Sequence, residues 1–288
     1  MLKVFRVQNP TCNFQPATCN RFAKWLCVFI AALQLTASAA DSVWSRVVVI
    51  GASASAGFVL TEPFGGTNTA QCKLHRHIDA AITTPHAPVK SFATALFFLS
   101  PDAMAAQETE AATNSKPTLV VATDFLFWFC YGQGDSDAER AAHFETGLKA
   151  LEKIRCPLLV GDIPDASSAT NTGIISADMV PSETARHAAN ARLRKWAAAH
   201  KQVTVVPLAE FMRAVKADEA VKIHGTTLPA GKTRALLQAD GLHPNPRGAA
   251  VLALGVLDAF VKARPKISAK GIRWNVEEVL RGGLKPVR

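Results

Sequence analysis

The chain has 288 residues, 49% of them hydrophobic, and a formal net charge of +9. This length and composition indicate a globular protein whose core needs no disulfide or metal to hold it together. The positive charges are spread along the chain, without a dense Lys/Arg run or a known binding motif. The sequence therefore argues against a nucleic-acid partner.

The first forty residues have the pattern of a targeting segment. Basic residues are followed by an apolar stretch, Trp25–Leu35, and then by small residues that end at Ala40. This predicts a signal peptide over residues 1–40 and a secreted or periplasmic protein. An uncleaved anchor is the alternative, but the apolar stretch is shorter than the roughly 20 residues that a membrane-spanning helix needs. No later stretch is long and apolar enough to span a membrane.

The first predicted strand covers residues 47–50 and stops at Gly51, where small residues follow. An apolar run that ends in this way predicts a buried strand and a tight turn, which can present a serine at the edge of a sheet. Two serines, Ser53 and Ser55, lie in this turn. The next helix carries Leu74, Ile78 and Ile82 on one face, and its two histidines, at positions 75 and 77, are predicted to be solvated rather than metal ligands.

Strands are predicted near 92–99, 118–123, 157–160 and 203–207, with helices between them. The strand at 118–123 ends at Asp124, and an aromatic block, 125–131, follows it. Ser136 and Glu139 have the spacing of a capping box before the next helix. Another helix is predicted over 209–220 and a last one from Pro246 to about Lys262. Residues 222–238 are predicted to be irregular.

This alternation predicts an α/β fold with a mostly parallel five-stranded sheet. We expect one domain over residues 41–263 and a basic C-terminal tail over 264–288. In such sheets, sites lie beyond the carboxyl ends of the strands, so the residues after each strand should gather at one edge. Three cysteines, Cys72, Cys130 and Cys156, follow the signal peptide. They have no metal-binding spacing and are predicted to be buried thiols, with a single disulfide as the alternative.

A second motif, Asp240-Gly-Leu-His243, lies before the last helix. A carboxylate and an imidazole three residues apart in a turn can approach each other, so that the carboxylate fixes the tautomer and leaves one ring nitrogen for a nucleophile. Alone, the motif is more typical of a loop whose aspartate caps a turn. Together with the serine turn of an α/β chain it indicates a hydrolytic site.

These two motifs resemble the first and last blocks of the SGNH (GDSL-type) hydrolases. The first block stands here as Gly51-Ala-Ser-Ala-Ser-Ala-Gly57, with Ala52 in place of the usual Asp, and the last as Asp240-Gly-Leu-His-Pro-Asn-Pro-Arg-Gly248. The resemblance implies a flavodoxin-like three-layer α/β/α sandwich and ester hydrolysis through an acyl-enzyme, without a metal or cofactor. It implies that Ser53 is the nucleophile, His243 the base and Asp240 the orienting carboxylate.

The resemblance also implies an oxyanion hole to which the backbone N–H of Ser53 donates, with Ala54 and Asp124 as further candidates for lining the site. The family's Gly and Asn donors have no clear counterpart. An ionised Asp124 cannot donate to an oxyanion, so it is either protonated by burial or anchors the serine turn through backbone N–H groups. Two alternatives stay open, namely Ser55 as the nucleophile and a non-catalytic module that binds an acyl chain or a glycan. As an enzyme, the protein would cleave a lipid-like, short acyl or sugar-acetyl ester.

Overall fold

A parallel sheet lies at the centre of the computed structural model, which describes residues 42–63, 65–132, 136–173 and 175–285. Its strands are β1 (Val47–Val49), β2 (Lys90–Ser91), β3 (Leu119–Ala122), β4 (Leu158–Gly161) and β5 (Val203–Val206). They pair in the order β2-β1-β3-β4-β5, all parallel. This order is the flavodoxin-like one, so the predicted fold class is confirmed. The predicted signal peptide lies outside the described residues.

Helices cover both faces of the sheet. In chain order, the described helices are α1 (Ser53–Ala56), α2 (Thr67–Gln71), α3 (Leu74–Ala81), α4 (Pro101–Asn114), α5 (Phe127–Cys130), α6 (Asp137–Leu151), α7 (Glu183–Ala199), α8 (Leu208–Lys216), α9 (Pro246–Ala263) and α10 (Val276–Gly283). No described helix is long and apolar enough to cross a membrane.

The central strands are apolar throughout because both of their faces are buried. Successive side chains of a strand point to opposite faces. Val47 and Val49 of β1 belong to a core shared with α3, α8, α9 and α10, whereas Val48 belongs to a core shared with α4, α5, α6 and α7. Two apolar layers of this kind explain why β1, β3 and β4 appear in the sequence as short continuous apolar runs.

Side-chain caps fix the starts of four described α-helices, among them α10, which Asn275 caps. Ser136 caps α6 by accepting from the N–H of Glu139 at 3.2 Å, as the predicted capping box requires. Ser182 accepts from the N–H of Ala185 at the start of α7. Asn245 accepts from the N–H of Gly248 at the start of α9, directly after the Asp240–His243 motif. The Asn245 cap therefore fixes the point at which the chain passes from that motif into α9.

Several local predictions were wrong. The second strand is only Lys90–Ser91, and Phe97–Leu99 forms a 3₁₀ turn instead of its continuation. The region predicted to be irregular contains an antiparallel hairpin, β6 (Val221–Ile223) and β7 (Thr226–Leu228). His77 is fully buried, and its Nε2 lies 2.9 Å from the carbonyl of Gln71. The basic C-terminal segment forms α10, and this helix packs on α3 and covers His77.

The three cysteines of the described chain are free thiols, two buried and one half-buried, in agreement with the thiol prediction. Burial raises the pKa of Cys130 to about 12, so that thiol stays protonated.

The sheet has no room for a side chain at Gly161, and this gives a test of the packing. A Cβ at Gly161 would lie 2.0 Å from the carbonyl oxygen of Thr123, whereas a Cβ at Gly255 in α9 would make only an ordinary contact at 3.9 Å. We expect Gly161→Ala to lower the free energy of unfolding by about 1–3 kcal/mol. Gly255→Ala should raise it by about 0.5–1 kcal/mol, because alanine favours a helix interior. Urea denaturation of both variants measures the difference; equal stabilities would contradict the packing of β3 on β4.

Candidate active site

Ser53 lies just beyond the carboxyl end of β1. The strand is followed by the buried residues Ile50, Gly51 and Ala52, and α1 then begins at Ser53 itself. The side chain of Ser53 is half-buried, and its Oγ lies 2.8 Å from Nε2 of His243. The two motifs that lie 190 residues apart in the sequence therefore meet within hydrogen-bond distance.

Asp240 completes a chain of hydrogen bonds through His243. Nδ1 of His243 lies 2.8 Å from Oδ2 of Asp240, so the ring donates through Nδ1 and presents Nε2 as an acceptor to the hydroxyl of Ser53. Both side chains are almost fully buried. Burial alone would raise the pKa of Asp240, but the hydrogen bond from His243 and the N–H groups of Leu242 and His243 hold it below its ordinary value.

Two residues outside the motifs hold the imidazole in place. The ring of Phe58 packs against that of His243, with centroids 4.4 Å apart. Nε2 of Gln238 donates to the carbonyls of Phe58 and Pro244, at 2.6 and 2.9 Å, and so ties the loop after α1 to the turn that carries His243. The orientation of His243 thus depends on packing and on a hydrogen-bonded crosslink as well as on Asp240.

Asp124 anchors the serine turn. Its Oδ1 accepts from the N–H of Ala52 at 3.0 Å and from the hydroxyl of Ser55 at 2.6 Å. Its Oδ2 accepts from the N–H groups of Ala54 and Ser55 at 2.8 and 3.1 Å. A proton on either oxygen would displace one of these donors, since an ionised carboxylate has about four acceptor positions and all four are used. Burial raises the pKa of Asp124 above its ordinary value, and these hydrogen bonds oppose the rise without cancelling it. The four donors, rather than the pKa, indicate the anionic form, because each of them needs an acceptor position.

This anchoring bears on the alternatives that the sequence left open for the two serines. Ser55 is fully buried and donates its hydroxyl to Asp124, so Ser53 alone of the two serines faces His243. The N–H of Ala54 donates to Asp124, so it is not free to donate to an oxyanion. The N–H of Ser53 donates to no described group. Ala54 and Asp124 do line a small cavity beside Ser53.

Gly51 is required by the close approach of Asp124. A Cβ at this position would lie 2.3 Å from Oδ1 of Asp124, and the backbone there has φ of +138°. Only glycine tolerates both conditions. The glycine that opens the serine motif therefore makes room for the carboxylate that fixes the rest of the turn.

A second buried carboxyl group, Glu108 of α4, supports the same turn. Its Oε2 accepts from the N–H of Gly51 at 2.7 Å, while its Oε1 is buried without a described partner. Burial, and next to it the charge of Asp124, raise the pKa of Glu108 from its ordinary value of 4.5 to about 9. Glu108 is therefore neutral at pH 7, and the pair carries a single negative charge, on Asp124.

Two asparagines whose side-chain amides could serve as donors lie away from this cluster. The side chain of Asn190 is bonded to both backbone polar groups of Ile163, and that of Asn68 to Glu62. Neither lines a cavity that contains Ser53. Among the described residues no group of three or more His, Cys, Asp or Glu side chains is arranged to hold a metal ion.

Glu108, Phe58 and Gln238 were not predicted from the sequence. Glu108 had a detectable signal, because the buried residues of α4 recur at helical spacing, Ala105, Glu108, Thr109 and Ala112. An acidic residue on a helix face of small residues predicts a buried carboxyl group, and such groups are rare unless they are paired. Phe58 and Gln238 lie in loops without periodicity, so the sequence offered no comparable sign.

Comparison with known proteins shows a shared fold. No family model matches the chain, and no curated protein matches it in sequence. The solved structure of a lipase/acylhydrolase from Enterococcus faecalis matches with a TM-score of 0.52 at 18% identity, over 80% of this chain and 98% of that one. TesA matches with a TM-score of 0.41 at 18% identity, over 76% and 99% of the two chains. The psychrotrophic esterase EstA from Pseudoalteromonas sp. matches with a TM-score of 0.44 at 13% identity, over 76% of this chain and 97% of that one. The match to the Enterococcus faecalis structure and the strand order of the sheet confirm the fold that the resemblance to SGNH-type hydrolases implies.

The raised pKa of Glu108 predicts how stability changes with pH. Because the folded protein binds this proton more tightly than the unfolded chain, the contribution is complete below pH 4.5 and is lost as the pH rises toward about 9. We expect Glu108→Gln, which cannot ionise, to remove this part of the pH dependence. Urea denaturation of both proteins between these pH values measures it. Parallel stability curves for the two proteins would show that Glu108 is ionised in the folded state.

Proposed function

We propose that the protein is a serine hydrolase that cleaves an ester through an acyl-enzyme. The observation that carries the proposal is the hydrogen-bonded chain from Ser53 through His243 to Asp240, with both distances at 2.8 Å. In this chain Ser53 has the position of a nucleophile, His243 that of a base and Asp240 that of an orienting carboxylate. The fold of the Enterococcus faecalis lipase/acylhydrolase is compatible with the same class of reaction.

The reaction follows from this geometry in two steps. The hydroxyl oxygen of Ser53 attacks the ester carbonyl carbon while Nε2 of His243 takes the hydroxyl proton, and Asp240 stabilises the imidazolium that forms. The tetrahedral intermediate collapses when His243 returns the proton to the leaving alcohol, which leaves an acyl group on Ser53. A water molecule, deprotonated by His243, then attacks this acyl group, and the acid and free Ser53 are released.

The backbone N–H of Ser53 is our candidate for stabilising the oxyanion. The neighbouring N–H groups of Ala52, Ala54 and Ser55 all donate to Asp124, so the N–H of Ser53 is the one in this turn left for a ligand among the described contacts. One donor of this type contributes on the order of a hundredfold or more to the rate.

A non-catalytic module that binds an acyl chain or a glycan is the second candidate. The N–H groups committed to Asp124 favour it, because they leave fewer donors for an oxyanion. A fluorophosphonate probe separates the two functions, since it reacts only with an activated serine. Labelling of Ser53 supports the enzyme, and an unlabelled Ser53 in a folded protein supports the module.

The two serines provide a matched test of the nucleophile. We expect Ser53→Ala to lower the turnover of p-nitrophenyl acetate by about 10⁴-fold or more, because the attacking atom is lost. Ser55→Ala removes a donor to the buried Asp124 and should cost about 1–3 kcal/mol of stability while turnover persists. Steady-state assays and urea denaturation of both variants measure these effects. Unchanged turnover in Ser53→Ala would overturn the assignment.

We propose in addition that residues 1–40 direct export of the protein. The support is the apolar stretch Trp25–Leu35 followed by small residues up to Ala40. Expression of the full chain in a bacterial host should yield a secreted or periplasmic protein that begins near Asp41. Amino-terminal sequencing measures this, and a chain that keeps its first forty residues would contradict cleavage.

A further inference from the structure

Two cavities open on Ser53 and His243, and their sizes differ. The smaller has a volume of about 50 Å³ and lies toward α8 and α9. The larger, which we call the rim groove, has a volume of about 370 Å³ and lies between the loops 57–63 and 94–99, α5 and the segment around Met179. Ligand sites usually measure about 300–1,000 Å³, so the rim groove is the one that can hold the larger part of a substrate.

The walls of the rim groove are apolar. Its large side chains are Phe58, Leu96, Phe98, Trp128, Met179 and Leu242. The described lining contains no Asp, Glu, Lys or Arg side chain, and the polar side chains it offers besides Ser53 and His243 are limited to Ser176 and the indole N–H of Trp128. Most hydroxyl groups of a sugar would be buried there without partners, which opposes binding. An alkyl chain has no such cost.

Exposed apolar residues continue from the mouth of the groove. Large hydrophobic side chains that remain exposed in the described chain are Leu60, Leu96, Phe98, Leu99 and Leu284. Four of these five lie in the two loops that border the rim groove, and Leu99 is 67% exposed. A cluster of exposed apolar side chains marks a binding surface rather than an ordinary surface. Leu96 and Phe98 line the groove itself, and Leu99 lines a neighbouring cavity together with Phe98 and Trp128, so apolar surface continues beyond the groove.

We propose that the rim groove binds the acyl chain of the substrate, so that the enzyme prefers esters of medium- and long-chain acids to acetyl esters and sugar acetates. This inference rests on the proposed function, in which Ser53 attacks the ester. The chain then lies along Phe98 and Trp128 and leaves the groove beside Leu96. Each buried methylene contributes about 0.8 kcal/mol, which corresponds to about a fourfold gain in kcat/KM.

A series of p-nitrophenyl esters tests this preference, because acetate, butyrate and octanoate share one leaving group. We expect kcat/KM to rise about tenfold or more from acetate to octanoate. A flat or falling series with measurable acetate turnover would overturn the acyl groove and leave the proposed function intact. If none of the esters is hydrolysed, the proposed function fails and the binding experiment below decides on the groove alone.

Two exposed apolar residues give a matched pair of variants. Phe98 is 44% exposed and lines the groove, whereas Leu284 is 37% exposed and does not line it. We expect Phe98→Ser to lower kcat/KM for octanoate about tenfold more than for acetate, since it removes part of the wall. Leu284→Ser should leave the ratio of the two substrates unchanged. An unchanged ratio in Phe98→Ser would overturn the proposed position of the chain.

Binding without turnover provides an independent readout. In the Ser53→Ala variant, ethyl octanoate should change the tryptophan fluorescence in a saturable way, whereas ethyl acetate should not. Adding Trp128→Phe to this variant should remove the signal. Saturation by octanoate that depends on Trp128 supports the groove even if catalysis is absent. A signal that survives Trp128→Phe unchanged would place the acyl chain outside the rim groove, and the absence of any signal would overturn acyl binding in the groove.

Discussion

The contact between Asp124 and the serine turn determines the geometry of the site. Burying a carboxylate costs several kcal/mol even after relaxation. Four hydrogen bonds to a charged acceptor, each contributing about 1.5–3 kcal/mol, are of the same size or larger. Asp124 can therefore stay ionised behind the turn, and it holds Ala52, Ala54 and Ser55 in fixed positions. Ser53, which lies among them, is positioned by its neighbours rather than by contacts of its own backbone.

The sheet brings two carboxyl groups to this turn, and their different environments separate their charges. Asp124 is surrounded by donors, whereas Glu108 accepts from the N–H of Gly51 through Oε2 and has its Oε1 without a described partner. Two adjacent negative charges in a buried site would repel each other strongly. The proton is therefore held by Glu108, which has fewer donors to lose, and the serine turn lies next to a single negative charge.

The sequence predicted those parts of the structure that follow from periodicity and short-range geometry. Apolar or β-branched runs indicated four of the five strands, and the Asp240–His243 spacing indicated the contact that the structure has. The hairpin β6–β7 and the burial of His77 depend on packing between elements distant in sequence, to which local patterns are insensitive. The same holds for Asp124, because its two possible roles, protonated group or anchor, differ only in which backbone groups surround it.

The anchor also bears on the oxyanion role that we propose for the N–H of Ser53. The first N–H groups of a helix have no partner within the helix, and in α1 those next to Ser53 are bound to Asp124. Among the described contacts, the N–H of Ser53 has no partner. It lies between the N–H groups of Ala52 and Ala54, which Asp124 holds in place. A donor held in this way needs no reorganisation when charge develops on the substrate, and such preorganisation is the main source of electrostatic stabilisation in active sites. Asp124, which as a carboxylate cannot donate to an oxyanion, thus determines which N–H of the turn is available for the proposed role.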